Sequence, residues 1–274
     1  MRESGQRKEE RMITSTANAQ VKELMRLMKK SRARDEAGVF LAEGPRMTEE
    51  LAADPAWREN IRKVYLSEDY AAKAKDRWTS FQTEILSDAV FAHVSGTKTP
   101  QGVLAVVQRP EYGMEDILGH GGGRAHILVL DNLQDPGNLG TIFRTAEAAG
   151  ATGILLSADC VDVYNPKVVR STMGAVLRMP FQYVEDLPGA IGELKQNGIW
   201  IYAAHLAGEK AYDEEDYTSG CAFLIGNEGN GLRDEVAACA DRRILIPMQG
   251  SAESLNAAVA AAVLMFEAAR QRRR

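Results

Sequence analysis

Short apolar runs alternate with amphipathic stretches through the second half of the chain. HILVL, GILLS, IWIYAAH, CAFLIG and RRILIP are predicted strands. GNLGTIFRTAEAAG, NPKVVRSTMG, LPGAIGELKQNG and the closing run from residue 257, which has no polar residue before position 267, are predicted helices. Strands that are apolar throughout and separated by helices are typical of a parallel sheet covered on both faces. This half is therefore predicted to be an α/β domain with a parallel sheet.

The first half predicts a smaller α/β unit. NAQVKELMRLMKKSRAR is predicted to form one basic helix, with Val21, Leu24, Met25 and Met28 along one side. GVFLAEG, KVYLSE, TEILSD and GVLAVVQRP are predicted strands, and PRMTEELAADP is a predicted helix that opens and stops at proline.

A glycine-rich segment, GMEDILGHGGGRA, separates the two halves. Gly119 and residues 121–123 indicate a flexible joint. These glycines precede a strand, whereas a phosphate-binding loop has its glycines after a strand and at the start of a helix. We therefore predict domains at 1–112 and 125–274, joined by a linker at 113–124.

Charge is distributed unevenly along the 274 residues. The formal net charge is −5, yet residues 1–34 contain ten basic and four acidic residues, which leaves a net charge of −11 for the remainder. A basic arm on an acidic body is compatible with a polyanionic partner, and equally with a solvated helix face.

Cysteine usage and hydropathy indicate the compartment. The chain has three cysteines, Cys160, Cys221 and Cys239, and no C-x-x-C pair, so we expect a reduced protein without a disulfide framework or zinc site. The N-terminus lacks the apolar core of a signal peptide, and an apolar run of about ten residues is too short to span a bilayer. We therefore expect a cytoplasmic protein that does not enter membranes.

Three polar, glycine-bearing segments each follow a predicted strand. DNLQDPGNLG follows HILVL, GNEGNGL follows AFLI, and PMQGSAESLN follows ILI. Ligands of open parallel sheets bind beyond the carboxyl ends of the strands. We therefore expect the three segments to converge on one pocket.

The residue types alone leave a structural alternative for each segment. In the first, Asn138 could cap a helix while Arg144 pairs with Glu147 one turn further on. In the second, the glycines could form a simple turn that leaves Glu228 solvated. In the third, one of Ser254 and Asn256 could serve only as an N-cap.

Together, the three segments resemble the three motifs of the SpoU/TrmH family of RNA ribose 2′-O-methyltransferases, within the SPOUT superfamily. The family pattern N-x-x-D-P-x-N-x-G-x-x-x-R-T-A matches residues 132–146, G-N-E-x-x-G-L matches 226–232, and I-P-M-x-G-x-x-x-S-L-N matches 246–256. GVFLAEGPRMTEEL also resembles the start of the family's amino-terminal RNA-binding domain. The resemblance covers nearly the whole chain.

The resemblance implies a fold and partners. It implies that residues 125–274 form a parallel-sheet SPOUT domain with a deep trefoil knot, a rare exception to the rule against threaded chains. Residues 1–112 would form a ribosomal-protein-like α/β domain that binds the RNA substrate. The implied cofactor is S-adenosylmethionine, and the implied assembly is a homodimer. Ribosomal RNA is favoured over transfer RNA because the extra amino-terminal domain is common among ribosomal members.

The resemblance also assigns residues. The cofactor would be contacted by Gly226, Ile246 and Leu255. The catalytic site would be lined by Arg144, Asn138, Glu228, Ser254 and Asn256. The candidate phosphate contacts of the first domain are Lys22, Lys29, Lys30, Arg32, Arg34 and Arg46.

The family mechanism makes Arg144 the general base. A sulfonium methyl donor needs no metal, so the protein has to align the 2′-oxygen and help remove its proton. A guanidinium is almost always protonated, which leaves two accounts open. Either Arg144 loses its proton in a strongly perturbed site, or it stays cationic and stabilises the developing alkoxide.

Two further functions compete with this one. An RNA-binding protein of the same fold without catalysis would keep the domain and lose motif residues, but every motif residue named above is present. A nucleotide-dependent oxidoreductase is suggested only by the α/β alternation, and the chain lacks a glycine fingerprint after the first strand of its second half.

Overall fold

The computed structural model describes residues 12–119 and 124–273, which divide into two compact units. The division falls between Arg109 and Pro110, and Tyr164–Pro166 group with the first unit. The predicted linker at 113–124 begins with a short helix, in which Ile117 is fully buried in the core of the second unit. Residues 121–123 lie outside the described residues, and the predicted domain limits stay a prediction.

The first unit is a four-stranded mixed sheet with helices. The strand order is β1-β4-β2-β3; β4 is antiparallel to both of its neighbours, and β2 and β3 are parallel. All four predicted strands and the proline-initiated helix are present. The elements are β1 (Val39–Glu43), β2 (Ile61–Ser67), β3 (Thr83–Leu86), β4 (Val103–Gln108), α1 (Ala19–Lys29), α2 (Ser31–Ala37), α3 (Pro45–Ala53), α4 (Pro55–Arg58), α5 (Glu68–Ala74) and α6 (Asp88–Val94).

The single basic helix predicted at the start of this unit is in fact two helices. The chain is extended at Lys30, between α1 and α2. The Arg34 side chain, only 2% exposed, turns back and its Nη1 donates to the carbonyl oxygen of Leu27 at 2.6 Å. It thereby satisfies a carbonyl in the last turn of α1 that the interrupted helix leaves without an intrahelical partner. Arg34 is therefore buried and committed within the first unit, and its assignment as an RNA phosphate contact stays a prediction that this placement does not support.

The second unit contains a seven-stranded sheet in which every strand pair is parallel, as predicted. The strand order is β7-β6-β5-β10-β8-β11-β9. The elements are α7 (Met114–Leu118), β5 (His126–Leu130), α8 (Pro136–Ala149), β6 (Gly153–Ser157), α9 (Pro166–Ser171), β7 (Phe181–Val184), α10 (Leu187–Gln196), β8 (Trp200–Ala204), β9 (Lys210–Ala211), β10 (Cys221–Ile225), α11 (Asp234–Ala237), β11 (Arg242–Leu245) and α12 (Ala257–Arg272), with 3₁₀ turns at Ala175–Leu177 and Tyr212–Glu214.

The continuous apolar runs of the sequence correspond to the central strands of this sheet. Every residue of β5, β6 and β10 is buried, because helices cover both faces of the sheet. The two edge strands, β7 and β9, were not predicted. Only the first residue of β7 is buried, and β9 has two residues, so neither has the continuous apolar pattern of the centre.

The last helix, α12, packs along α8 and against β10. Its run of apolar residues is only partly buried: Leu264 and Met265 are fully covered, whereas Val259 and Phe266 are 48% and 45% exposed. Among the described residues, no helix is both long and apolar enough to cross a membrane. The trefoil knot implied by the family resemblance stays a prediction.

Candidate functional site

The first two motif segments meet at the carboxyl ends of neighbouring strands. Leu130 at the end of β5 lies opposite Ile225 at the end of β10, and the main-chain N–H of Asp131 donates to the Ile225 carbonyl at 2.9 Å. The first segment then enters α8, and the second forms a turn closed by two hydrogen bonds between Asn227 and Gly231. The parallel register therefore brings together segments nearly a hundred residues apart.

Asn138 does not cap α8, so its side chain is available to the site. The N-cap is Asp135, whose Oδ1 accepts from the Asn138 main-chain N–H at 2.8 Å. The Asn138 side-chain Nδ2 instead donates to Glu228 Oε1 at 3.0 Å. The helix-capping alternative for Asn138 is thus wrong.

Glu228 anchors the second motif segment to the first. Besides Asn138, its carboxylate accepts from the main-chain N–H groups of Gln134 at 3.2 Å and Asp135 at 3.1 Å. Partial burial by itself would raise the pKa of Glu228, but these hydrogen bonds favour the ionised form and together hold the pKa below its ordinary value. Glu228 is therefore a fixed, negatively charged part of the site and not merely a solvated turn residue.

Asn256 brings in the third segment and has two structural tasks. It is the N-cap of α12, where its Oδ1 accepts from the N–H groups of Ala258 at 2.9 Å and Val259 at 3.3 Å. Its Nδ2 donates to Asn138 Oδ1 at 2.9 Å. Hence Asn138 lies between Glu228 and Asn256, and the three side chains link all three motif segments.

A cavity of about 800 Å³ lies beside the hydrogen-bonded side chains of Glu228, Asn138 and Asn256. All three residues predicted to contact the cofactor, Gly226, Ile246 and Leu255, line it, as do Glu228 and Ser254. Its volume is within the range of about 300–1,000 Å³ that is usual for small-molecule sites.

Gly226 is the position in this cavity that most clearly requires glycine. A Cβ atom there would lie 2.2 Å from both the Gly231 carbonyl carbon and the Leu232 nitrogen, so no side chain fits without moving the turn. The absence of a side chain leaves the main chain of the motif-two turn as the wall of the cavity at this point. The cavity is lined by both apolar and polar side chains, Leu255 and Glu228 among them, and such a mixed lining fits an adenosine-bearing cofactor.

Arg144 lies on α8, six residues after Asn138, which is about 9 Å further along the helix axis. It is exposed, and within the described chain its guanidinium makes no hydrogen bond or ion pair. The predicted alternative, a pair with Glu147, is not formed, because the Glu147 carboxylate binds the guanidinium of Arg178. The structure thus joins Asn138, Glu228 and Asn256 directly and leaves Arg144 open to solvent.

The sequence analysis did not predict a clamp next to the motif-two turn, which is formed by Asp131 and Arg233. Asp131 is fully buried, and its carboxylate accepts from Arg233 through the main-chain N–H at 2.8 Å and Nε at 2.7 Å. The Asp159 carboxylate lies 3.3 Å from the same guanidinium. The sequence did contain a signal for this clamp: a carboxylate directly follows an apolar strand, and an arginine directly follows a glycine-rich turn. This clamp ties the start of the segment that carries Asn138 to the end of the segment that carries Glu228.

The remaining candidate RNA contacts differ in their surroundings. Arg32 is exposed but pairs with Glu36 at 2.9 Å, an arrangement that exposed helices often make without RNA. The candidates that are exposed without such a described ion pair are Lys22, Lys29, Lys30 and Arg46.

Comparison with known proteins identifies the family. Residues 125–266 match the model of the SpoU rRNA Methylase family, and residues 18–105 match that of an MRM3-like substrate binding domain. The chain is 34% identical over 256 residues to the 23S rRNA (guanosine(2553)-2′-O)-methyltransferase RlmP of Bacillus subtilis, covering 93% of this chain and 98% of that protein. It is 32% identical over 283 residues to the 23S rRNA (uridine(2479)-2′-O)-methyltransferase of Streptomyces viridochromogenes, covering 96% and 93%.

The fold agrees with these relatives. The SpoU methyltransferase AviRb from Streptomyces viridochromogenes, solved in complex with the cofactor AdoMet, superposes with a TM-score of 0.82 at 29% identity, covering 93% of this chain and 98% of that one. The fold and site define an S-adenosylmethionine-dependent RNA 2′-O-methyltransferase. The chain belongs to the SpoU rRNA methylase family.

Proposed function

We propose that this protein methylates a ribose 2′-hydroxyl of ribosomal RNA, with Arg144, Asn138, Glu228, Ser254 and Asn256 as its catalytic residues. The observation that carries the proposal is the hydrogen-bonded series Glu228–Asn138–Asn256, which joins all three motif segments beside one cavity. Relatives that match over more than nine-tenths of this chain are named as 23S rRNA 2′-O-methyltransferases, which favours ribosomal over transfer RNA.

The cofactor site is assigned to the cavity. Gly226, Ile246 and Leu255 would hold S-adenosylmethionine there, largely through main-chain groups and apolar contact. When bound, S-adenosylmethionine supplies a methyl group on a positively charged sulfur. The Glu228 carboxylate is committed to hydrogen bonds with the motif-one segment, so its task is to hold that segment and the Asn138 amide in place.

Of the two accounts of Arg144, we favour the one in which its guanidinium stays protonated and acts as a cation. Its side chain is exposed and has no hydrogen-bonding or ionic partner within the described residues, so it is available to an incoming RNA. A guanidinium carries five N–H donors in a planar array that suits phosphate and developing alkoxide oxygen. Arg144 would position the phosphate next to the reactive ribose and stabilise negative charge on the 2′-oxygen.

The proposal also includes the subunit assembly. We infer a homodimer in which α12 faces the partner subunit, because Val259 and Phe266 on this helix are large, apolar and about half exposed. The trefoil knot and a cytoplasmic location are further parts of the proposal. The first unit would bind RNA through its exposed cations, with Lys22, Lys29, Lys30 and Arg46 as the first candidates.

A methyl-transfer assay tests the proposed function. The purified protein is incubated with methyl-labelled S-adenosylmethionine and with either unmethylated 23S rRNA or bulk transfer RNA, and the products are digested to nucleosides. We expect label only in a 2′-O-methylnucleoside from 23S rRNA. Label in a base would refute ribose chemistry, and label from transfer RNA alone would refute the substrate assignment.

A further inference from the structure

A turn at the end of α9 is fastened to α8, although it belongs to none of the three motifs. It comprises residues 171–174, which we call the α9 turn. The Ser171 Oγ lies 3.3 Å from the carbonyl oxygen of Pro136, the first residue of α8. A Cβ atom on Gly140 would collide with the Ser171 side chain, so glycine at this position lets the turn approach the helix closely. The α9 turn therefore abuts α8 at the level of Asn138.

The chain that follows the α9 turn stays beside α8. The 3₁₀ turn Ala175–Leu177 packs against the helix, and the Arg178 Nη2 donates to the Glu147 carboxylate at 3.1 Å. This segment is thus attached to α8 both before and after the position of Arg144. Arg144 lies one helical turn after Gly140, on the same side of the helix. The α9 turn consequently adjoins the side of α8 that carries Arg144.

Met173, within the α9 turn, has an unusual main-chain conformation. Its φ is 54°, and the φ of Gly174 is 95°. The left-handed region costs free energy for any residue other than glycine, and non-glycine residues held there cluster at functional sites. The Met173 side chain is 42% exposed, so burial in the core does not offset this cost. The turn is held from below by Thr172, which is buried and whose hydroxyl donates to the Val169 carbonyl at 2.7 Å.

The charge around Met173 favours an anionic partner. Residues 167–184 contain three basic residues, Lys167, Arg170 and Arg178, and no acidic residue, which gives a net charge of +3 in a chain whose net charge is −5. Arg144 on the adjoining helix is a further cation. A nucleotide of RNA combines a phosphate, which cations attract, with a base whose flat face makes apolar contacts. The polarisable thioether of methionine packs well against such a ring.

We propose that Met173 is a substrate-binding residue that contacts the base of the nucleotide whose ribose is methylated, while Arg144 holds the neighbouring phosphate. This inference rests on the proposed function in one respect, namely that Arg144 faces the RNA. The strained conformation keeps the methionine side chain on the surface beside α8. Met173 is not among the residues that line the cavity, so it acts on the RNA and not on the cofactor.

Steady-state methylation of 23S rRNA by the full-length protein tests the proposal. Met173→Asn removes the thioether and keeps a residue that tolerates the left-handed conformation. We expect its KM for RNA to rise about tenfold, the scale of one lost apolar contact, and its dissociation constant for S-adenosylmethionine to stay within about twofold. Met173→Leu, which keeps an apolar side chain of similar volume, should have a KM within about threefold of the wild type.

Thermal stability supplies a readout that separates substrate binding from a structural role. Glycine adopts the left-handed conformation without strain, so we expect Met173→Gly to melt about 2 °C above the wild type while its KM for RNA rises about tenfold. The matched control is Lys75→Gly, at an exposed residue of the first unit whose φ is 49°. It should also melt no lower than the wild type, and its KM for RNA should be unchanged.

The outcomes are distinguishable. A wild-type protein that does not methylate RNA would refute the proposed function and this inference with it. Wild-type activity together with an unchanged KM in Met173→Asn would overturn the inference alone, as would an equal rise of KM in Lys75→Gly. If Met173→Asn instead shifts the oligomeric state in sedimentation velocity, and its KM returns to the wild-type value once the protein concentration restores that state, Met173 serves a subunit contact and the proposal is wrong.

Discussion

The Asn256 side-chain amide donates to Asn138 Oδ1 at 2.9 Å, although the two residues are 118 positions apart in the chain. The same Asn256 side chain caps α12 through its oxygen. Its carbonyl and amino ends are thus both committed, which fixes the orientation of the amide. Asn138 is fixed in turn, because it accepts from Asn256 and donates to Glu228.

Replacing Asn138 by Asp tests this arrangement with almost no change in shape. The new carboxylate cannot donate to Glu228 and would face it at hydrogen-bond distance with like charge. We expect kcat for methyl transfer to fall about 100-fold, the scale of a small misplacement in an active site. Affinity for S-adenosylmethionine should change less than threefold, since Asn138 is not among the cavity-lining residues.

The matched control is Asn197→Asp, at an exposed asparagine that ends α10 on the same unit. It introduces the same chemical change away from the motif segments and should leave kcat unchanged. Equal losses in the two variants would contradict a specific role for Asn138.

Arg144→Ala should abolish detectable methyl transfer and leave the dissociation constant of S-adenosylmethionine within a few-fold. The reason is that Arg144 is exposed on α8 and is not among the residues that line the cavity. Arg178→Ala, which removes a guanidinium that binds the same helix through Glu147, provides the control. Single-turnover rates of methyl transfer, measured with saturating cofactor, compare the two variants. Wild-type-like turnover by Arg144→Ala would refute the assigned role.

Glu228→Gln should lower kcat about 100-fold and should also alter the acid response of stability. Hydrogen bonds lower the pKa of Glu228 in the folded protein, so its contribution to stability is fully present above the pKa of an ordinary glutamate, about 4.3, and is lost as the pH falls through the folded-state value. The melting temperature of the wild type should therefore exceed that of Glu228→Gln above about pH 5, and the difference should shrink on acidification. A difference that grows at low pH would contradict the anchoring role.

His126 makes a separate contribution to acid sensitivity. It is 1% exposed in β5, and burial, with a smaller effect of Arg272, lowers its pKa to about 4. Between about pH 6.5 and 4 the unfolded chain binds a proton at this residue that the folded protein excludes, so the free energy of unfolding falls through that window, by about 3 kcal/mol in total. Denaturant titrations at pH 7 and pH 4.5 should show a smaller decrease for His126→Phe than for the wild type.

RNA affinity should depend on salt through the exposed cations of the first unit. Each phosphate contact contributes a slope of about 0.7 to 0.9 in a plot of log affinity against log salt. Lys29→Ala and Lys30→Ala should reduce that slope, whereas Arg34→Ala should destabilise the unit and leave the slope unchanged, because Arg34 is committed to the Leu27 carbonyl. A flat salt response of the wild type would argue against phosphate contacts altogether.

Much of the fold could be predicted because the central strands are buried on both faces. The apolar runs of β5, β6 and β10 are continuous, and the predicted helices between strands supply the crossover connections that parallel strands need. Edge strands such as β7 were missed because they are partly exposed to solvent and therefore lack a continuous apolar run. The break at Lys30 was missed because α1 and α2 have similar composition and the turning side chain, Arg34, looks like a surface residue.

The site could be predicted in outline, since each polar segment follows a strand of one parallel sheet. The pairing of Asn138 with Asn256 could not be, because no local pattern reports a contact across 118 residues. Arg144 and Glu147 show the limit of spacing arguments: one turn apart on α8, they do not pair, because Arg178 reaches Glu147 from another element. The Asp131–Arg233 clamp is likewise a tertiary contact between residues that, taken singly, look ordinary.

Mapping ribose methylation across total RNA tests the central claim most directly. Cells lacking this protein are compared with cells that carry the wild type or Arg144→Ala at equal abundance. The account predicts that one 2′-O-methyl mark in 23S rRNA is present only with the wild type. An identical methylation map in all three strains would contradict it.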